Sequence, residues 1–400
     1  MKKILTTVLM LASVKMCVAQ NAQLVQFGDL EVNPLIPVQR GISPLVAVQQ
    51  GYDSNIYLDK NAPKAAWINR SGVGVGFVSK GGSRLDLNGS YMLEFLSYSR
   101  SPKINNATHH LATLSAKVLL PRNTSVTLDE DYKQTTDQAT SELTARALRV
   151  ENTAGVAVEA PLRGKLGFNL AAQHTYNNYL AGIYNVLDRQ EVLAGGDITY
   201  KVQPKTNLVL GYRYGTMNYR LASAESGDSS YNNLSLGLTG NIAPKLAGLV
   251  MAGVQFRNYE QHLNQAKDKA TIGGYSARLA WKPEELTDVI FYAKRAGVET
   301  TYLNSRYYIS SMGDVELSRQ VRKIKASLGL GYESVVFPEK TAATGKKRRD
   351  NNTGVRLTAE YNIQTWLKAG AAYAYKNRAS NESAFAYSDN LVSIDLKGMF

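Results

Sequence analysis

The sequence predicts an all-β fold: a transmembrane antiparallel up-and-down β-barrel of about eighteen strands, with short periplasmic turns and long extracellular loops. Three observations predict it. Period-two alternation recurs from Ile42 to Phe400, short and long connections alternate, and the last strand ends on an aromatic residue.

Alternation is clearest in three segments. Leu85, Leu87, Tyr91, Leu93 and Phe95 share one parity, against Asp86, Asn88, Ser90 and Glu94. Leu166, Phe168, Leu170 and Ala172 oppose Lys165, Asn169 and Gln173, and Val355, Leu357, Ala359 and Tyr361 oppose Arg356, Thr358 and Glu360. Successive side chains of a strand point to opposite faces, so each segment has one apolar and one polar face. A soluble sandwich gives the same local pattern, and the connections separate the two. Tight turns stand at Lys80–Ser83, Pro121–Thr124, Pro161–Gly164, Gln203–Thr206, Ala243–Lys245 and Lys282–Glu285. Between them lie longer polar segments: Arg100–Ala107, Gln134–Ala145, Asn177–Arg189, Leu221–Ser230 and Pro338–Asn352. Turns on one rim and loops on the other are the arrangement of an outer-membrane barrel.

The strands in order centre near Val48, Val75, Met92, Leu114, Leu128, Ala154, Leu170, Gly196, Tyr212, Leu236, Ala252, Ala277, Phe291, Gly313, Leu330, Leu357, Ala371 and Ile394. Alternation is weakest from Val298 to Lys325, where the count can slip by two. Val392, Ile394, Leu396, Gly398 and the terminal Phe400 share one parity. A C-terminal aromatic so placed resembles the signal read by the barrel assembly machinery. Tyr52, Tyr132, Tyr176, Tyr214 and Tyr259 fall near strand tops, where amphipathic rings sit at headgroup level.

Composition agrees with this fold. The 400 residues hold 24 Tyr, 9 Phe and 32 Gly, and the formal charge is +13. Mean hydropathy is only −0.25, because alternate residues of each strand face a wet lumen rather than lipid. No run approaches the roughly 18 apolar residues that a spanning helix needs. Cys17 is the single cysteine, which excludes a disulfide scaffold and a thiolate metal site.

Residues 1–19 read as a secretory signal peptide. Lys2 and Lys3 form its basic start, Ile4–Ser13 its apolar core, and Cys17-Val18-Ala19 its cleavage site. Val14-Lys15-Met16 does not make a lipobox before Cys17. Residues 20–41, with Pro34 and Pro37, are expected in the periplasm, and residues 42–400 form the barrel. The expected location is the bacterial outer membrane, in contact with its lipid and lipopolysaccharide.

Eighteen strands enclose more space than side chains fill, so an aqueous channel is expected. Parity turns Arg213, Arg257, Arg278 and Arg356 inward as candidate contacts for a polymer or ions, among acids that nearly balance the bases. Lys346, Lys347, Arg348 and Arg349 form a basic run within a predicted extracellular loop, suited to phosphate or an acidic polysaccharide. No cofactor, metal or nucleic-acid partner is expected. Enzymatic readings find little support. His109-His110 lies near Asp129 and Asp131 in the barrel order, but adjacent residues of one strand face opposite sides. No catalytic residue is assigned.

Gly51-Tyr52-Asp53-Ser54-Asn55 in the first hairpin, Arg306-Tyr307-Tyr308, and Gly329-Leu330-Gly331-Tyr332-Glu333 resemble motifs of the β-barrel porin type 2 family. That resemblance spans nearly the whole barrel. It implies an outer-membrane barrel associated with exopolysaccharide or capsule export, with a periplasmic polysaccharide-export protein as partner. The expected function is therefore export of a hydrophilic polymer, most simply an acidic exopolysaccharide. A passive porin for small solutes and a structural or adhesive barrel with a closed lumen are the alternatives.

Overall fold

The computed structural model describes residues 41–400 except 80–83, 140–141, 143–145, 163, 222–226, 261–267, 301–304 and 341–343. The signal peptide, nearly all of the periplasmic segment, the Lys80–Ser83 turn and His262 lie outside the described residues.

Eighteen strands form one sheet. The first nine are Gly41–Asp53 (β1), Ala66–Val78 (β2), Leu85–Tyr98 (β3), Ala107–Leu119 (β4), Ser125–Thr135 (β5), Arg149–Pro161 (β6), Leu166–Tyr179 (β7), Arg189–Gln203 (β8) and Thr206–Tyr219 (β9). The others are Ser229–Ala243 (β10), Leu246–Tyr259 (β11), Asp268–Glu284 (β12), Thr287–Glu299 (β13), Tyr307–Val321 (β14), Ile324–Lys340 (β15), Lys347–Asn362 (β16), Leu367–Ser380 (β17) and Tyr387–Met399 (β18). Each strand pairs antiparallel with its sequence neighbours, and β1 closes on β18 from Leu45↔Met399 to Asp53↔Leu391. Every predicted strand centre falls in its own strand, including those around the weak Val298–Lys325 stretch. Closure pairs the sheet's two edges, which a hydrocarbon environment demands of any spanning sheet.

Connections are short at the even-to-odd junctions, as at Arg322-Lys323 between β14 and β15, and mostly longer on the opposite rim. One predicted loop is shorter than expected. β15 and β16 climb to Lys340 and Lys347, so Lys347, Arg348 and Arg349 belong to a strand rather than to a loop, and only Lys346 lies outside it.

The outer wall carries the apolar parity. Val46, Val48, Val73, Leu128, Leu170, Leu210, Leu236, Leu330, Leu357 and Ile394 are all exposed there. Tyrosines bound this belt above, and their hydroxyls donate to asparagines one row higher. Tyr212 bonds Asn232 at 2.6 Å, Tyr332 bonds Asn351 at 2.9 Å and Tyr373 bonds Asn390 at 2.9 Å. Trp366 and Phe400 pack with tilted rings 5.1 Å apart at the opposite end. Aromatic girdles at both interfaces are what an amphipathic ring at headgroup depth produces. Tyr52 and Tyr214 face outward as expected, but Tyr259 is a correction: it is buried inside the barrel. Its parity is that of Arg257 and Met251, one register step from the outward Asn258.

The Gly51–Asn55 motif stands where the first strand meets the last. The Asn55 N–H donates to Asp53 Oδ1 at 2.7 Å, and Asn55 Nδ2 donates to the carbonyls of Asp59 and Ser388. Ser54 Oγ donates to Asp389 Oδ1 at 3.0 Å. These residues brace the seam between β1 and β18.

Candidate functional site: a constriction across the lumen

Eighteen strands about 4.8 Å apart and tilted by about 40° enclose a cylinder roughly 35 Å across the backbone. The described interior of its upper half is not empty. Two segments enter it from opposite walls and meet.

The first is the connection between Thr135 and Arg149. Its root is fixed by an ion-pair cluster. Arg70 of β2 reaches Glu94 of β3 at 3.3 Å and Asp137 of the loop at 3.0 Å. Arg146, at the loop's far end, lies 3.9 Å from Asp137 and over the Tyr98 ring. His109 of β4 accepts the Thr136 N–H at Nε2, at 3.0 Å, and turns Nδ1 towards Glu94 and Asp137. Arg149 donates to the Asp137 carbonyl and pairs with Glu151 at 2.6 Å. Burial opposes ionisation of Asp137, but Arg70, with His109 and Arg146 beside it, outweighs that and holds its carboxyl well below the usual range. Ala147 packs on Tyr179 and Leu187, joining the loop to the β7–β8 connection.

Doubled back on itself, a thirteen-residue connection reaches at most about 23 Å, short of the far wall. Glu142, midway along it, nevertheless meets Thr300, whose hydroxyl donates to its carboxylate. Thr300 follows β13, eight strands away around the barrel. The opposite wall also leans inward. An ideal Cβ on Gly297 would stand 2.4 Å from Ile272 Cδ1 and 3.7 Å from Gln255 Oε1. Gly297 has the outward parity of β13, whereas Ile272 points into the lumen from β12. The upper end of β13 thus lies on the lumen side of β12. A side chain at Gly297 would have to displace the end of Ile272.

An aromatic and arginine wall supports this leaning end. Tyr231 lies across Gly215 of β9, and its hydroxyl donates to Glu191 of β8. The Arg257 guanidinium sits 4.4 Å above the Tyr231 ring and pairs with Glu299, the last residue of β13. Tyr259 stacks with Tyr307 at 6.0 Å, under the Arg306 guanidinium at 5.3 Å.

The predicted lumen arginines divide in this frame. Arg213 is spent on the wall, with Nη2 2.7 Å from Asp197 and Nη1 on the Gly196 and Tyr212 carbonyls. Arg257 is spent on Glu299 of β13. Arg356, half-exposed to the lumen, pairs with Glu316 at 2.9 Å. Arg278 is exposed to the lumen and makes no ion pair among the described residues. Asp129 and Asp131 line β5, on the wall opposite Arg278. The basic run needs correction: Lys346, Lys347 and Arg349 are exposed, but Arg348 is fully buried. It pairs with Asp350 at 2.6 Å between the Phe337 and Phe385 rings. The strand continues through this stretch, so period two turns every other cation inward.

Sequence reasoning missed Arg70, Asp137, Arg146, Glu142 and Thr300. Parity could have found Arg70, but the loop residues carry no periodic signal. His109 does enter the lumen and His110 does not, yet the acids beside His109 are Glu94 and Asp137 rather than Asp129 and Asp131.

Solved structures with similar backbones include an outer membrane protein and an iron transporter. OpdK of Pseudomonas aeruginosa, crystallised with vanillate, has a TM-score of 0.49 at 10% identity, covering 90% of this chain and 99% of that one. OccAB4 of Acinetobacter baumannii has a TM-score of 0.47 at 11% identity, with coverages of 90% and 99%. The FrpB iron transporter of Neisseria meningitidis has a TM-score of 0.43 at 9% identity, with coverages of 90% and 82%. No curated protein matches the sequence. The model of one family, described as Putative beta-barrel porin 2, matches residues 41–400, and the chain belongs to that family.

Proposed function

We propose that this porin-family barrel of the bacterial outer membrane is a channel of narrow bore that passes small hydrophilic solutes. The observation that carries this reading is the meeting of Glu142 and Thr300 from opposite walls. A lumen open from rim to rim would suit a polymer, whereas one crossed at its upper half suits molecules that slip past the crossing. Below it, Asp129 and Asp131 face Arg278 across the barrel, and opposed charges of this kind orient a dipolar solute in transit.

Polymer export remains the second reading, favoured by the Tyr231, Tyr259 and Tyr307 rings with Arg257 and Arg306. Aromatic faces beside guanidinium groups are the chemistry an acidic sugar chain would meet. This surface is covered in the present state, so export requires a wider state and, by the family resemblance, a periplasmic partner.

Swelling of liposomes that hold the purified barrel separates the two. Rapid entry of mono- and disaccharides with exclusion of a long acidic polysaccharide is expected. Free passage of the polysaccharide through the unmodified barrel would overturn the narrow-bore reading.

A further inference from the structure

Where the upper end of β13 leans inward, it leaves its neighbour. The ladder between β12 and β13 runs from Glu284↔Thr287 up to Tyr275↔Arg295 and stops. The ladders on either side continue, β11 with β12 to Tyr259↔Asp268 and β13 with β14 to Glu299↔Tyr307. Asp268–Gly274 of β12 therefore has β11 on one edge and no strand partner among the described residues on the other. A strand edge left open in this way is a template for pairing.

We propose that the upper end of β13, Ala296–Glu299, is a gate with two seats: the inner one described above and the vacant edge of β12. The inference rests on the channel reading and adds to it how the bore changes. Continuing the existing register sets Ala296 opposite Gly274, Gly297 opposite Gly273, Val298 opposite Ile272 and Glu299 opposite Thr271. The two middle pairs suit a ladder. Ile272 and Val298 would form a β-branched pair on the lumen face, which favours strand pairing. Gly273 and Gly297 would face each other on the outer wall, and nothing stands within 4 Å of where a Cβ on Gly273 would lie.

The inner seat is held by contacts that the outer seat gives up. Glu299 leaves Arg257, and Thr300 leaves Glu142. The move exchanges a buried ion pair and a cross-lumen hydrogen bond for ladder hydrogen bonds, and it withdraws one of the two segments that cross the lumen. Arg257 is then left facing the passage on the Tyr231 ring. The Arg257–Glu299 pair is the latch.

The test is a Gly273→Cys/Gly297→Cys barrel in a Cys17→Ser background, recorded as single channels in planar bilayers. Heat-modifiable migration on gels verifies that each variant is folded. Under oxidant a disulfide should form in the folded barrel, with conductance several-fold above wild type. Reduction should return the current to that of Gly297→Cys alone. A folded barrel that forms no disulfide, or a disulfide that leaves the current unchanged, overturns the gate. Glu299→Gln, which leaves the seam untouched, should raise the fraction of time spent at the higher conductance. An unchanged fraction overturns the latch. A wild-type current already at the locked level overturns the narrow-bore reading instead, and is seen without any cysteine variant.

Discussion

The two segments that meet in the lumen arrive there by different means. The connection after β5 is an insertion: the β5–β6 ladder below it runs to Thr135↔Arg149, and it enters as extra chain whose root is pinned by Arg70, Asp137 and Arg146. The upper end of β13 is a withdrawal: no chain is added, and the wall gives up part of a ladder to supply it. An inserted loop narrows a barrel without breaking a ladder of its wall, and its removal leaves those ladders intact. A withdrawn strand narrows the lumen and opens a seam together, so its position and the wall's integrity are linked. The first is built as a fixed obstruction, and the second as one that can move.

Replacing residues 138–146 by a short Gly-Ser turn should have the largest effect. It removes the inserted segment whole, so single-channel conductance should rise several-fold while the barrel stays folded on heat-modifiable gels. A conductance no higher than wild type would mean that the leaning end of β13 closes the passage alone.

Arg70→Ala addresses the pinned root. Breaking a buried ion pair by removing one partner costs about 3–5 kcal/mol, and here it strips both Glu94 and Asp137. The loop should loosen, giving noisier single-channel currents and a lower temperature for the gel-mobility shift. A quiet current and an unchanged transition would show that the aromatic packing of Tyr179 and Leu187 on Ala147 fixes the loop without the charges.

Arg278→Glu leaves both segments in place and alters only the passage below them. Reversal potentials in a salt gradient should move towards cation selectivity, with conductance close to wild type. Arg213→Glu, by contrast, removes a wall brace from Asp197 and should act on stability rather than selectivity.

The smallest expected effect is that of acid. The Asp137 carboxyl titrates below an unfolded value of about 3.9. Its contribution to loop anchoring is thus complete above that value and is lost only as pH falls through the depressed one. The quiet single-channel current of an anchored loop should therefore persist from pH 7 to about pH 4.5. Onset of the noise expected of Arg70→Ala within that window would show that another group anchors the loop.

The same contrast explains what the sequence discloses. Strand number, centres and parity were legible because a wall between lipid and water forces period two on each strand, as in Leu85–Phe95. The inserted loop was not, because Asp137, Glu142 and Arg146 act through contacts with distant strands and follow no repeat. The leaning end lies between the two cases. Alternation fades after Val298, and there Tyr308 packs on Phe337 and Tyr307 on Tyr259, so the residues meet protein rather than lipid on one face and water on the other. Chain covered on both sides has no reason to alternate. Arg348 was misplaced for the opposite reason: its four-cation run looks like a loop, yet period two continues through it.

The two segments touch across the lumen, and a short thiol-to-thiol cross-linker tests that contact directly. Glu142→Cys and Thr300→Cys would be combined in a folded, lipid-embedded barrel lacking Cys17. Efficient linkage by the shortest reagent is expected, even though the two residues come from opposite walls. Linkage only by reagents long enough to span an open barrel would contradict it.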